Sequence, residues 1–211
     1  MAIFDTDGYE ITVRGAQGIT LGGVSLQIEW IREAAVQTNL LMQRINQMTV
    51  PENGDSNLID MLGQTFVSTM ISEVFAGLVS VQPGGQFFSN PHEKGRPDIC
   101  AVTDEAMDFL ESQGWDTSDF PIGSTRQWQP YPHDGVEVKA TRTGKKGTGE
   151  MREYRLGLPG SHTISGVAHH GNHPRLIGIL WDLVPFNSHN TPCIIAVFYS
   201  DQLEGTWGAR Q

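Results

Sequence analysis

From about Ser25 to Gln47, apolar residues recur at three- and four-residue spacings: Leu26, Trp30, Ile31, Ala34, Ala35, Leu41, Met42 and Ile45. That period predicts a helix with one buried face. The segment TVPENGDSN then supplies Pro, Gly and Asn and reads as a loop. A second helix is expected from about Asn57 to Val79, on a stripe of Leu58, Met61, Leu62, Phe66, Met70, Val74 and Leu78, until PGGQFFSNPHEKG breaks it. Before both helices, residues 1–24 are rich in glycine (Gly8, Gly15, Gly18, Gly22, Gly23) and read as turns with at most a short strand.

Downstream the pattern changes to short apolar runs bounded by Gly, Pro or polar clusters: residues 98–103 (DICAVT), 135–141 (GVEVKAT), 175–183 (RLIGILWDL) and 193–199 (CIIAVFY). These read as strands. The last two are apolar enough to be buried on both faces, as central strands are. Between the first two, EAMDFLESQGW reads as a short acidic helix and FPIGSTRQWQPYPHD as an extended loop. Two helices followed by these strands predict an α/β or α+β fold with a mixed sheet. No internal repeat or linker divides the chain.

Composition agrees with a packed domain. Of 211 residues 38% are hydrophobic, with nine Phe, five Trp and four Tyr. That is enough apolar material for a core and excludes global disorder. No run approaches the ~20 apolar residues of a membrane span. The start MAIFDTDGYE has neither the positive region nor the apolar stretch of a signal peptide, so cytoplasmic residence is expected. Cys100 and Cys193, far apart and in apolar contexts, are expected to be reduced, buried thiols.

A net charge of −10 argues against a general polyanion binder. The charge is segregated, however. Lys139, Arg142, Lys145, Lys146, Arg152 and Arg155 crowd one segment, whereas Asp104, Glu105, Asp108, Glu111, Asp116 and Asp119 crowd another with no base among them. One basic segment on an acidic protein can still meet a phosphate backbone locally.

Candidate chemistry sits in GVEVKAT. Side chains alternate along a strand, so Glu137 and Lys139 share one face while Val136 and Val138 take the other. A carboxylate and an ammonium ~7 Å apart along a strand can reach one small volume. In GRPDICAV, Asp98 stands at the entrance of a strand, after a proline that cannot donate to the ladder. If the two strands pair, Asp98 and Glu137 are close enough to share a cation, and Mg²⁺ favours carboxylate and water oxygens.

Pro97-Asp98 followed by Glu137-x-Lys139 resembles the PD-(D/E)xK signature of restriction-endonuclease-like nucleases, most closely a type II restriction endonuclease. Glu73, in STMISEVFAG on the preceding helix, matches the position from which such nucleases often direct a carboxylate to the metal or its water. The resemblance covers roughly residues 58–200. It implies a restriction-endonuclease-like core, with a mixed central sheet of about four to five strands flanked by helices and preceded by an N-terminal helical segment. Residues 1–57 would then form N-terminal turns and a long helix, a candidate dimerisation element, and residues 58–211 the nuclease core.

The resemblance further implies a Mg²⁺-dependent endodeoxyribonuclease acting on double-stranded DNA, with one or two ions and with Mn²⁺ able to substitute. Asp98, Glu137 and the backbone carbonyl of Val138 would be metal ligands, and Lys139 would orient the attacking water and stabilise developing negative charge. Glu73 would assist. Arg142, Lys145, Lys146, Arg152 and Arg155 would contact phosphates. Base contacts would come from Arg126 and Gln127 in the loop 116–134 and from His169, His170 and Asn172 in the segment 155–175. Partners implied are a homodimer, needed for a one-site chain to cut two strands, and a cognate DNA methyltransferase, in a bacterial or archaeal cytoplasm.

HTISGVAHHGNHPR, with His162, His169, His170 and His173, superficially resembles a His-Asn-His nuclease motif. That motif needs a hairpin followed by a helix, and here the sequence runs into RLIGILWDL, so a polar loop that contacts DNA is the better reading. A solvated turn remains the bland reading of ATRTGKKGTGEMREYR, and a solvated strand face that of Glu137/Lys139. Two alternatives to restriction stand: a structure-specific repair, recombination or phage nuclease of the same fold, and a non-catalytic DNA-binding or assembly protein that retains it.

Overall fold

The computed structural model describes residues 19–48, 58–82, 85–90, 97–112, 134–142, 175–186 and 189–200. The first strands, β1 (Ile19–Leu21) and β2 (Val24–Leu26), form an antiparallel hairpin. Gly22 and Gly23 occupy its turn with φ of 56° and 83°, the two positive values that a two-residue hairpin loop requires. The long helix α1 (Ile28–Asn46) follows, then one turn, α2 (Leu58–Met61), and the helix α3 (Gln64–Ser80). The second expected helix is thus divided at Leu62-Gly63, where Gly63 takes an extended N-cap conformation.

Five strands make the main sheet, in order β3 (Phe87–Ser89), β4 (Ile99–Ala101), β5 (Gly135–Arg142), β6 (Leu176–Phe186) and β7 (His189–Ser200). The β5–β6 pair is parallel and the other pairs are antiparallel, so the sheet is mixed. The short acidic helix is α4 (Asp104–Ser112), close to its expected place. This bears out a mixed α/β (α+β) class with helices flanking a five-stranded sheet.

Alternation sorts the sheet into two faces. Phe87, Ile99, Ala101, Val136, Val138, Ile177, Ile179, Trp181, Ile194 and Val197 join α1 and α3 in one continuous core. Phe88 and Cys100 point the other way and pack with Ala106, Met107 and Phe109 of α4. The α1 residues Ala34, Ala35 and Met42 belong to the same core as the sheet. The helix that was a candidate dimerisation element therefore also builds the fold.

Three details differ from the hydrophobic pattern. On α3 the fully buried face is Val67, Ile71, Phe75, Ala76 and Val79, one residue round from the expected stripe, which leaves Phe66 exposed, and Met61 at the end of α2 is exposed too. Adjacent apolar pairs such as Phe66-Val67, Met70-Ile71 and Val74-Phe75 offer two candidate stripes on this helix, so periodicity alone does not define its inner face. On α1 the buried face includes the polar Thr38, Asn39, Gln43 and Asn46. Thr38 bonds back to the Ala34 carbonyl within the helix, whereas Asn39 and Asn46 serve β7, which among the described residues ends the sheet rather than lying centrally. Asn39 donates to the Ile194 carbonyl (3.1 Å) and accepts from the Ile194 N–H (2.7 Å), and Asn46 donates to the Asn190 carbonyl (3.1 Å). Side-chain amides thus stand in for a further strand at that edge. Among the described residues no helix is long and apolar enough to cross a membrane.

Candidate active site

The site forms where β4 and β5 part. Their backbone pairing comprises Cys100↔Gly135 and Ile99↔Val136 and goes no further. The next residues, Asp98 and Glu137, lie on the face opposite the main core. Instead of another ladder bond, the Val138 N–H donates to the Asp98 carboxylate at 2.7 Å. A side chain has replaced backbone pairing, and this places the carboxylate of one strand against the middle of the other.

Two residues explain how the strands come so close before parting. Pro97 is buried against Gly135, and a Cβ added to that glycine would collide with the Pro97 ring and the Ile99 carbonyl. The proline of Pro97-Asp98 therefore has a packing role that only glycine opposite it permits.

Lys139 joins the carboxylates. Its ammonium donates to Glu137 Oε1 at 2.5 Å and to the Val138 carbonyl at 3.1 Å, and lies 3.5 Å from Asp98 Oδ2. Glu137 is nearly sealed from solvent (side chain 3% exposed), whereas Lys139 (29%) and Asp98 (24%) remain reachable. Burial works against the charge on Lys139, but the two carboxylates outweigh it and hold its pKa above the ordinary lysine value. Lys139 is therefore a cation at any physiological pH, suited to electrostatic work and not to proton abstraction.

Glu73 stands at the rim. It lies on a solvent-reached part of α3, the helix packed against β5 and β4. Partial burial raises its carboxyl pKa, Asp98 raises it further, and Lys139 opposes both. Those influences couple Glu73 electrostatically to Asp98 and Lys139. Two carboxylates against one ammonium leave the centre net negative, and Glu73 adds to that.

The donor set fits a hard divalent ion. Asp98 Oδ2, Glu137 Oε1 and the Val138 carbonyl, the three groups expected as ligands, all face one point, the position of the Lys139 ammonium. Two carboxylates and a carbonyl suit Mg²⁺, which keeps several of its waters. Among the described residues no group of three or more His, Cys, Asp or Glu forms a metal cage.

Of the expected DNA contacts, Arg142 is the one described. It sits at the end of β5 with Nε 3.3 Å from Asp182 Oδ1 and its guanidinium 5.6 Å from the Trp181 ring centroid. Arg142 is thus engaged within the fold. Lys145, Lys146, Arg152, Arg155, Arg126, Gln127, His169, His170 and Asn172 lie outside the described residues.

Sequence reasoning missed Asp134. Its Oδ2 accepts from the Gly22 N–H (2.5 Å), its Oδ1 accepts from the Gly135 N–H (2.9 Å) and from Arg175, and its carbonyl accepts from the Ala101 N–H (2.9 Å). One aspartate therefore ties the hairpin, β4, β5 and the start of β6 together, two residues from the end of the strand pairing. The available signal was a charge at the mouth of each parallel strand, Asp134 before β5 and Arg175 before β6. Cys100 also lies on the site face. Its thiol is fully buried and pushed well above its ordinary value by burial, then by Asp98 and Glu137, so it is inert. Cys193 is likewise free and buried, raised to about 11 by burial.

Comparison with known proteins finds no family model that matches this chain, and no curated protein or solved structure significantly similar to it.

Proposed function

We propose that this chain is a Mg²⁺-dependent endodeoxyribonuclease with a restriction-endonuclease-like core, acting on double-stranded DNA as a sequence-specific type II enzyme. The observation that carries this reading is the convergence of Asp98, Glu137, the Val138 carbonyl and Lys139 on one point where β4 and β5 diverge. A solvated strand face would show neither the near-complete burial of Glu137 nor a carboxylate from the neighbouring strand seated on the Val138 amide.

Asp98, Glu137 and the Val138 carbonyl would hold the ion. When bound, it supplies Lewis acidity to a water and to the phosphate oxygens. Lys139 keeps its proton and offers a mobile positive charge to the non-bridging phosphate oxygens as negative charge builds there. Its four-carbon stem lets the ammonium follow that charge, and its N–H groups can also orient the attacking water. Glu73, whose carboxyl pKa is raised by partial burial and by Asp98, would accept a hydrogen bond from water entering the site. Double-strand cleavage by a chain with one such centre calls for two copies.

Digestion of a mapped supercoiled plasmid with Mg²⁺ or Mn²⁺ tests the reading. Discrete fragments are the expected result. A smear, or preference for branched substrates, assigns the centre to a structure-specific repair or recombination nuclease. No cutting with either ion, or cutting that survives both Asp98→Ala and Lys139→Ala, overturns the assignment.

A further inference from the structure

Beside the role toward the substrate proposed above, the position of Lys139 points to a second role, toward the metal. Its ammonium has three N–H groups, and they face three oxygens: Glu137 Oε1 at 2.5 Å, the Val138 carbonyl at 3.1 Å and Asp98 Oδ2 at 3.5 Å. These are the same oxygens that would ligate a divalent ion. The two cations would compete for that volume, because an ion held by all three oxygens would need space that the ammonium now occupies. Resting on the reading of Asp98, Glu137 and Val138 as a cation-holding set, we propose that Lys139 is a tethered occupant of the metal position, which a small divalent cation must displace before the centre is assembled.

The arrangement has two consequences. Without metal, the ammonium prevents mutual repulsion between Asp98 and the almost sealed Glu137, so the site keeps its shape while empty of ions. The same ammonium raises the threshold for binding. A monovalent ion offers these oxygens no more charge than the tethered cation and must compete against its high local concentration. A divalent ion offers twice the charge and wins. The displaced side chain has a way out, since Lys139 is 29% exposed, whereas Glu137 (3%) stays fixed as a ligand. Displacement would also deliver the ammonium to the edge of the metal, where a phosphate would lie. Ion binding and arming of Lys139 would then be one event.

Titration with Mn²⁺ alone, followed by the electron paramagnetic resonance of the free ion, tests this without any nuclease assay. Lys139→Met should bind Mn²⁺ more tightly than the wild type by roughly tenfold or more, the scale of one lost charge-assisted contact. Lys139→Arg, which retains a cation, should stay near the wild type. Asp98→Asn should weaken binding in every background. Equal or weaker binding by a folded Lys139→Met overturns the proposal while leaving the metal site intact. Absence of any Asp98-dependent binding in the wild type overturns both this proposal and the reading on which it rests.

Should Lys139→Met fail to fold, the wild type supplies the test. The chain has four lysines, Lys94, Lys139, Lys145 and Lys146, so the side-chain Cε resonance of Lys139 can be assigned in lysine-labelled protein by its loss in Lys139→Arg. Saturating Mg²⁺ should move that resonance to the position of a free lysine. A resonance unmoved at saturation overturns the proposal.

Discussion

The two edges of β5 are built differently. Toward β6 the strand is continuously paired, with six successive partners from Glu137↔Leu176 to Arg142↔Trp181. Toward β4 it has two, Cys100↔Gly135 and Ile99↔Val136, before the strands part. Each edge carries a basic residue of β5 matched to an acid, yet the two pairs serve different ends. Arg142 meets Asp182 and the face of Trp181 on the paired side, where Trp181 also donates to Ser68 of α3 at 2.9 Å. That pair is woven into packing. Lys139 meets Asp98 and Glu137 on the diverging side, where a backbone amide has given up its strand partner for a carboxylate. The candidate chemistry lies where the sheet stops pairing, and the packing lies where it continues.

Breaking the diverging side should affect catalysis most. Asp98→Asn keeps an acceptor for the Val138 amide but removes the charge shared with Lys139. DNA cleavage should fall by about a thousandfold or more, the scale of a lost electrostatic stabiliser. The melting temperature, read by calorimetry, should change far less. Breaking the paired side should do the reverse. Trp181, 2% exposed within the main core, should cost about 3–5 kcal/mol when replaced by Ala, measured by urea unfolding.

Gly135→Ala sharpens the comparison, because it strikes the two strands just before they part. The new methyl group would meet Pro97 and the Ile99 carbonyl and should push β4 away. We expect a loss of about 1–3 kcal/mol together with loss of Asp98-dependent Mn²⁺ binding, while amide-exchange protection along β6 and β7 persists.

The smallest expected effect is at Glu73. Its carboxyl pKa is raised in the fold, so the folded state favours the protonated form. The associated stability is present below the ordinary carboxylate pKa and is lost as pH rises through the raised value. Glu73→Gln escapes that loss. In metal-free protein the variant should gain on the wild type in melting temperature from acid to neutral pH, and the two should converge at acid pH. A constant difference across that range would disconnect Glu73 from the centre.

Much of this was legible in the sequence, because it depends on local pattern. The strand alternation that puts Glu137 and Lys139 on one face holds in the structure, and so does the α1 stripe at Ile31, Ala34, Ala35 and Met42, whereas Leu41 is exposed and Leu26 belongs to β2. What escaped depends on partners distant in the chain. The three-residue β3 is too short to show a period and exists through pairing with β4, while its sequence lies in a stretch that reads as a helix breaker. Asn39 and Asn46 are not part of the apolar stripe read for α1, yet they are buried and bond to the backbone of β7. Asp134 was hidden for a similar reason, since its acceptors gather donors from Gly22 to Arg175. For the candidate site, strand alternation and the resemblance to the PD-(D/E)xK signature pointed to Asp98, Glu137 and Lys139. Only the divergence of β4 from β5 explains why a carboxylate forty residues upstream of Val138 reaches the Val138 amide.

The most direct measurement is a crystal structure of the protein soaked in Mn²⁺, with the ion located by its anomalous scattering. The expected result is a peak bounded by Asp98, Glu137 and the Val138 carbonyl, at the ~2.1–2.2 Å oxygen distances of a hard octahedral ion, with the Lys139 ammonium moved aside. An ion bound elsewhere, with Lys139 still seated between the two carboxylates, would contradict the account.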